Sequence, residues 1–557
     1  IYARSAKSID ITPEMAKLFD IQVQSLQPND LIRALLRAPV DLIWNGGIGT
    51  YVKSGDQSSE AVADRANDSV RINGAEMRAK VFGEGGNLGF TQLGRIEYGL
   101  SGGFLNTDSI DNSGGVDCSD REVNIKILLD DVVKAGDLTQ KQRNQLLVEM
   151  TPEVSELVLD SNYRQSLAVS MAEYHAGRYP NEYVRLMHSL ENQGMLDREL
   201  EFLPTDELLQ ERHRQGQGLA RSEISVLLSY SKLWLKSELI DSQLPEDPWC
   251  VQVLRDAFPQ PLQQRYDSQL QSHKLRREIV VNQISNRLVN DVGMTFVNRL
   301  SEEDTDADIE AIVRAYVISR EVFGVAALRT SIEALNIDSK LQFLMVLESG
   351  RLSYRATRWF LRHRGQWADI KKTTGHFQPG IGELVEHLPR LIEASEQNNL
   401  SQFIERMIEG GVPESLSCQV AGLRLMSAGL DIIEVAHSST FSVDQVASAY
   451  FSLGSELELN WLREQLRNQT LENHWQRLAA LAYRDDLDLL QRELLARIDA
   501  GRGEGSDLCH TIEVWIKKHT AFVDHWKGLL AQFREQETLD FAMYSVALEA
   551  LRKLVAV

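Results

Sequence analysis

The stretch Val81-Phe-Gly-Glu-Gly-Gly-Asn-Leu-Gly-Phe-Thr91 reads as an extended run that empties into a glycine-rich turn and then a helix. A second turn of the same kind, Asp111-Asn-Ser-Gly-Gly-Val-Asp-Cys-Ser119, follows it. In open α/β sheets, turns at the carboxyl ends of strands are where nucleotides and small substrates sit. Upstream, Val40-Asp-Leu-Ile-Trp44 is expected as a short buried strand running into Asn45-Gly-Gly-Ile-Gly49. Met77–Phe82 is the next expected strand, Thr91–Leu100 a helix, and Asn106–Ile110 a last short strand. Asp120–Ala135 is expected as a helix with Val123, Ile127, Leu128 and Val132 on one face. Strands alternating with helices predict a parallel sheet.

Around this core the signals are local. Thr12 and Pro13 have the residue types of an N-cap and first helical position, and Asn29–Arg37 predicts a second helix capped by Asn29 or Asp30. Ser58–Val70 predicts a helix on an insertion. From Thr139 onward the helical period takes over, with a start at Thr151-Pro-Glu-Val, a long amphipathic run over Leu262–Asn290, a run over Cys509–Arg534 and a final helix from Thr538. Gly375-His-Phe-Gln-Pro-Gly380 and Gly501-Arg-Gly-Glu-Gly505 are expected as loops, the first a joint between helical subdomains. Glycine and histidine divide the chain: 15 of 36 glycines fall between Gly46 and Gly115, and all 12 histidines lie at His175 or later. No fixed-period repeat is found.

The formal charge of −21 argues against a nucleic-acid or anionic-membrane partner. The acidity is spread along the chain, with 15 Lys+Arg against 20 Asp+Glu in residues 1–142. Cys118, Cys250, Cys418 and Cys509 lie far apart with no CxxC, which fits a reduced cytoplasmic protein and disfavours a zinc site. No run approaches the ~18 apolar residues of a membrane span. The chain opens on Ile1 rather than methionine and reads as a piece of something longer.

Asn45, Asn87 and Asn112 each sit in a glycine-rich turn. An amide both donates and accepts, so it can pair with a carboxamide or a ribose hydroxyl; an asparagine also tolerates left-handed turn geometry without any ligand. Gly83–Gly89 superficially offers GxGxxxG, but the helix starts late and Glu84 would put negative charge beside a phosphate. A cofactor-facing turn is favoured over a pyrophosphate loop. Ser119 stands where it could cap a helix or present its hydroxyl to a carboxylate. His363, His376 and His387 fall on separate expected elements, so neither a metal constellation nor a catalytic triad is read. The basic run Arg351–Arg364 suits a solvated face or an ion-pair network better than an anion site.

Glu84-Gly-Gly-Asn87 with Thr91, then Asp111-Asn-Ser-Gly-Gly-Val116 with Ser119 and Glu122, resembles the nicotinamide-side motifs of the glutamate dehydrogenase family. Pro39-Val-Asp-Leu-Ile-Trp-Asn-Gly-Gly-Ile-Gly-Thr-Tyr51 and Asp64-Arg-Ala-Asn-Asp68 look like the large bacterial NAD-specific members. Gly86 and Ser113 stand where the family usually has alanine. The resemblance implies an α/β plus all-α chain: 1–142 as the C-terminal part of a doubly wound, Rossmann-like NAD-binding domain, 143–557 as a large α-helical domain with a joint near 375–380. It implies NAD as cofactor, L-glutamate and 2-oxoglutarate as substrate and product, and a homo-oligomer, and it permits an amino-acid effector. Asn45, Gly46, Gly47, Asn87 and Asn112 would bind the cofactor and Ser119 the substrate. No residue matches a catalytic acid or base; the catalytic lysine and GxGxxG are expected upstream, so the piece is expected to be inactive alone. The rival reading is a non-catalytic oligomerisation or effector-binding module with a degenerate α/β remnant.

Overall fold

The computed structural model describes residues 2–304, 306–391, 394–469, 471, 473–500, 507–536 and 540–556. They form two compact units, Ile1–Glu302 with Asp308–Glu310, and Glu303–Ala307 with Ala311–Val557. Gly501–Gly505 and the start of the final helix at Thr538 lie outside the described residues.

The first unit opens on a small antiparallel pair, β1 (Ile9–Asp10) and β2 (Ser25–Leu26), with helices α1 (Pro13–Phe19) and α2 (Pro28–Leu36) around a cluster of Ile9, Ile21 and Leu31. Thr12 caps α1 by accepting from the Met15 N–H at 3.3 Å. The cap of α2 is Gln27, with Pro28 at the first helical position, and not Asn29 or Asp30; proline's fixed φ starts the helix.

The next strands are parallel. β3 (Leu42–Asn45) pairs in register with β6 (Val81–Glu84), Leu42 opposite Val81 and Asn45 opposite Glu84. On the far side of β6, Val81 bridges Phe104 in parallel. Between them β4 (Val52–Lys53) pairs with β5 (Ile72–Asn73). Val52, Ile72, Phe82, Phe90 and Tyr98 share one core, with Phe82 edge-on to Phe90 at 4.7 Å. Among the described residues this is a set of two-stranded sheets, not an assembled doubly wound sheet. Strand β3 is also not buried as expected: Leu42 and Trp44, which alternate onto one face, are 55% and 60% exposed, because that face is left uncovered among the described residues.

Three other expectations fail locally. Ser58–Val70 is not one helix but α3 (Ser59–Val62) and a 3-10 turn at Arg65–Asn67, broken where Ala63 takes a left-handed φ of 59°. After α4 (Gln92–Leu100), capped by Thr91, the expected strand Asn106–Ile110 gives way to α5 (Asp108–Asp111), the Thr107 carbonyl accepting from the Ile110 and Asp111 N–H groups. Helix α6 spans Ser113–Ala135, so it begins at Ser113 and not at Asp120, and its buried stripe is Ile125, Leu128, Leu129 and Val132, while Val123 is 48% exposed.

Helix α7 (Gln140–Ala176) runs straight through Pro152, so Thr151-Pro-Glu-Val is no helix start. A capping box at Thr139 sets the true start, and buried Met150, Val154 and Val158 hold the turn whose hydrogen bond the proline removes. Helices α8 (Pro180–Asn192), α9 (Asp206–Arg214) and α10 (Arg221–Ile240) follow, and α10 packs on both α4 and α7. Leu262–Asn290 is three helices, Gln260–Arg265, Asp267–Gln271 and Arg276–Val292. His273 fixes the second break by accepting from the Leu275 N–H at 3.0 Å.

The second unit is helical. Its Ile370–Leu391 helix passes through Gly375–Gly380, so that segment is not a loop; buried Phe377, Ile381 and Leu384 hold the helix despite its glycines and proline. Cys509–Arg534 divides at His519 into Leu508–Lys518 and Thr520–Arg534. The basic run is an ion-pair network: Arg358 meets Glu303 and Asp485, Arg362 meets Asp485, and Arg364 meets Asp304. No single described helix is long and apolar enough to cross a membrane; one pair, Glu414–Met426 and Ala428–Ser438, passes by composition but is bent by 71°.

The two versions of the α6 stripe are separable. Leu129→Ala, at a position with no exposed surface, is expected to cost about 2–5 kcal/mol. Val123→Ala is expected to stay within about 0.5 kcal/mol. Urea denaturation of the two variants checks this.

Candidate functional site

Parallel pairing sets the carboxyl ends of β3 and β6 side by side, and both release into glycine turns, Gly46-Gly47 and Gly85-Gly86-Asn87. The glycines serve close approach. A Cβ on Gly86 would lie 2.5 Å from the Gly47 carbonyl oxygen, and one on Gly83 or Gly85 would strike the Trp44 indole at 2.4 or 2.5 Å. The two turns therefore touch backbone to backbone, with Trp44 laid across the second.

The asparagines are not there for left-handed geometry. Among Asn45, Asn87 and Asn112 none has a positive φ; in this turn the residue that does is Leu88, at 58°. Their amides are placed for contact instead. Asn112 Nδ2 donates to Asn87 Oδ1 at 2.5 Å, joining turns 25 residues apart in sequence. Asn45 Oδ1 accepts from the Gly47 N–H at 3.4 Å, while its Nδ2 is shielded from solvent and meets no acceptor among the described residues. An orphaned amide donor costs about 1–3 kcal/mol unless a ligand takes it.

Glu84 does not face outward. Its side chain is fully buried, its Oε2 accepts from Arg95 Nε at 2.7 Å, and its Oε1 accepts from Arg95 Nη2 and the Phe90 N–H at 3.0 Å each. Arg95 also meets Asp108 at 3.1 Å. Asp108 in turn accepts from the Leu88 N–H, and Asp111 from the Glu84 N–H at 3.1 Å. Burial pushes the Glu84 and Asp111 carboxyls above their ordinary range, opposed at Glu84 chiefly by Arg95 and at Asp111 by the Asn106 amide. The sequence signal for this arrangement was an arginine on the inward face of α4, which periodicity alone does not pair with Glu84.

Asn112 ends α5 and begins α6, and Asn162 of α7 clamps this junction by donating to the Ile110 carbonyl and Ser113 Oγ at 2.8 Å each. Ser119 is inside α6, so it caps nothing; its side chain is exposed. It follows Asn112 by about two helical turns and lies on the same side of the helix. The structure thus brings Asn45, Gly46, Gly47, Asn87 and Asn112 to the two strand ends, with Ser119 farther along α6.

Residues 1–172 match the family model for the bacterial NAD-glutamate dehydrogenase catalytic domain, and residues 216–553 match that for the glutamate dehydrogenase C-terminal region. The NAD-specific glutamate dehydrogenase of Pseudomonas aeruginosa is 47% identical over 556 residues, covering 100% of this chain and 34% of that protein. That of Halomonas elongata is 44% identical over 99% of this chain, and that of Mycobacterium tuberculosis 36% over 100%, each with 34% of the relative covered. The chain spans about a third of the length of these relatives.

Arg95 is the cation paired with both Glu84 and Asp108. Arg95→Met is expected to destabilise the first unit by about 3–5 kcal/mol at neutral pH, as for one partner removed from a buried pair. Without the cation Glu84 is pushed further up, and a carboxyl raised in the fold contributes stability below its unfolded value that is lost as pH rises through the folded one. The deficit should therefore shrink as pH falls from 7 toward 5, and adding Glu84→Gln should recover part of it. Urea titrations across that range measure both.

Proposed function

The chain belongs to the bacterial NAD-specific glutamate dehydrogenase family, and on that basis we propose that it forms the nicotinamide side of a cofactor cleft in an enzyme that oxidatively deaminates L-glutamate to 2-oxoglutarate and ammonia. The observation that carries the reading is the amide pair Asn87–Asn112 at the ends of parallel strands, beside the unsatisfied Asn45 Nδ2. Together these present donors and acceptors of the kind a carboxamide and a ribose require. Bound NAD would supply the hydride acceptor.

In this reading residues 1–142 are the later part of a Rossmann-like domain. Its remaining strands and helices would come from the part of the relatives this chain does not span, pairing the open edge of β3 and covering the face that carries Leu42 and Trp44. Asn45, Gly46 and Gly47 line the nicotinamide ribose, Asn87 touches the cofactor, and Asn112 takes the carboxamide. Glu84, neutralised inside the fold by Arg95, does not repel a cofactor phosphate. Ser119 offers its hydroxyl to the substrate carboxylate. The base that deprotonates the amine and the lysine that polarises the reacting carbon are assigned to the unspanned part, so residues 1–557 alone are inactive. The helical remainder serves assembly of a homo-oligomer.

In the full-length enzyme, Asn112→Ala is expected to raise the KM for NAD about tenfold, from about 1.4 kcal/mol of lost hydrogen bonding. Unchanged KM and turnover would remove Asn112 from the cofactor site. Ser119→Ala is expected to raise the KM for glutamate several-fold with that for NAD little changed; the opposite split would reassign the serine. Glutamate-dependent NADH formation by the isolated chain would overturn the division of labour.

A further inference from the structure

Away from the amide site, Glu383, His387 and Asp444 each offer a ligand atom, and the three atoms lie within 4.8 Å of one another. Glu383 and His387 stand at i and i+4 on the Ile370–Leu391 helix, so they share a face. Asp444 is in the first turn of the Val443–Glu456 helix, which Ser442 caps by accepting from the Gln445 N–H at 3.3 Å. These two helices pack together.

The hydrogen bonding around the cluster is incomplete. His387 Nδ1 lies 2.7 Å from Asp444 Oδ2. Asp444 Oδ1 is shielded from solvent and accepts no hydrogen bond among the described residues. Asp444 makes its charged contact with His387, and among the described residues neither carboxylate meets a lysine or arginine. A plain surface ion pair would not need a second, desolvated carboxylate oxygen without a donor, which costs free energy wherever it is found. Two carboxylates and an imidazole that meet no cationic side chain among the described residues are a cation's coordination set.

We propose that Glu383, His387 and Asp444 form a binding site for one divalent transition-metal ion, with zinc as the best chemical match. The mixed nitrogen and oxygen set suits zinc, whereas calcium and magnesium prefer six or more oxygens. Three protein ligands leave a fourth position for water, on the side where Glu383 is exposed. Sequence inspection for CxxC or HxxxH does not find the site, because its third ligand lies 57 residues from His387.

The test uses the full-length protein stripped with chelator and dialysed against zinc or cobalt. Elemental analysis should give one fewer equivalent of metal per chain in His387→Ala, Asp444→Asn and Glu383→Gln than in the wild type. The visible cobalt absorption of a four- or five-coordinate site should be lost with it. Asp444→Asn and Glu383→Gln are near-isosteric, so they decide the matter if His387→Ala fails to fold by circular dichroism. Equal metal content in wild type and the two isosteric variants, or no metal retained by the wild type at micromolar zinc, would overturn the site and leave an ordinary His–Asp pair.

Discussion

The buried contact between Glu84 and Arg95 is the constraint around which the first unit is arranged. It ties the last residue of β6 to the inward face of α4, and through Asp108 it reaches the short helix before α6. Asp111 then returns to the Glu84 backbone. Strand end, turn and helix start are thereby bonded into one closed ring of charge. A carboxylate held this far from water is costly on its own, and a guanidinium fork that meets both its oxygens is among the few arrangements that offset the cost. The amides of Asn87 and Asn112 sit just outside this ring and inherit their positions from it.

Much of the organisation is legible in the residues. Short extended runs ending in Asn-Gly-Gly or Glu-Gly-Gly announce parallel strands and the turns at their ends, because turn chemistry is local. Thr12, Thr91 and Thr139 mark helix starts by the same kind of local logic. Failures occur where tertiary contacts overrule local preference. Ser113-Gly-Gly is a poor helix opening by propensity, yet α6 starts there because Asn162, on a different helix, holds the junction. Gly375–Gly380 has a loop's composition and a helix's burial. Leu42 and Trp44 are apolar and exposed, which no pattern of hydrophobicity within one strand can reveal.

The candidate site was read in part. The three asparagines were visible as residues, but why they are asparagine was not, since the steric and the ligand-facing explanations predict the same letter. Backbone angles set the steric explanation aside: Leu88 takes the left-handed conformation and the amides do not. Glu84 shows the converse. From spacing it is a negative charge beside a phosphate-sized turn; its neutralisation by Arg95 depends on a helix face meeting a strand end, which one-dimensional spacing does not encode.

Asn112 and Ser119 belong to the beginning of one continuous helix, pinned at its first residue. An α-helix rises about 1.5 Å per residue, so the two side chains stand on a rigid ruler roughly 10 Å long. Their separation cannot be tuned by loop motion. Any tilt of α6 moves both by correlated amounts, and its clamp, Asn162, rides on the 37-residue α7. Two molecules held against these two marks would be registered to each other by the helix itself. Accommodating a longer or shorter partner would then fall to whatever elements face α6, and not to α6.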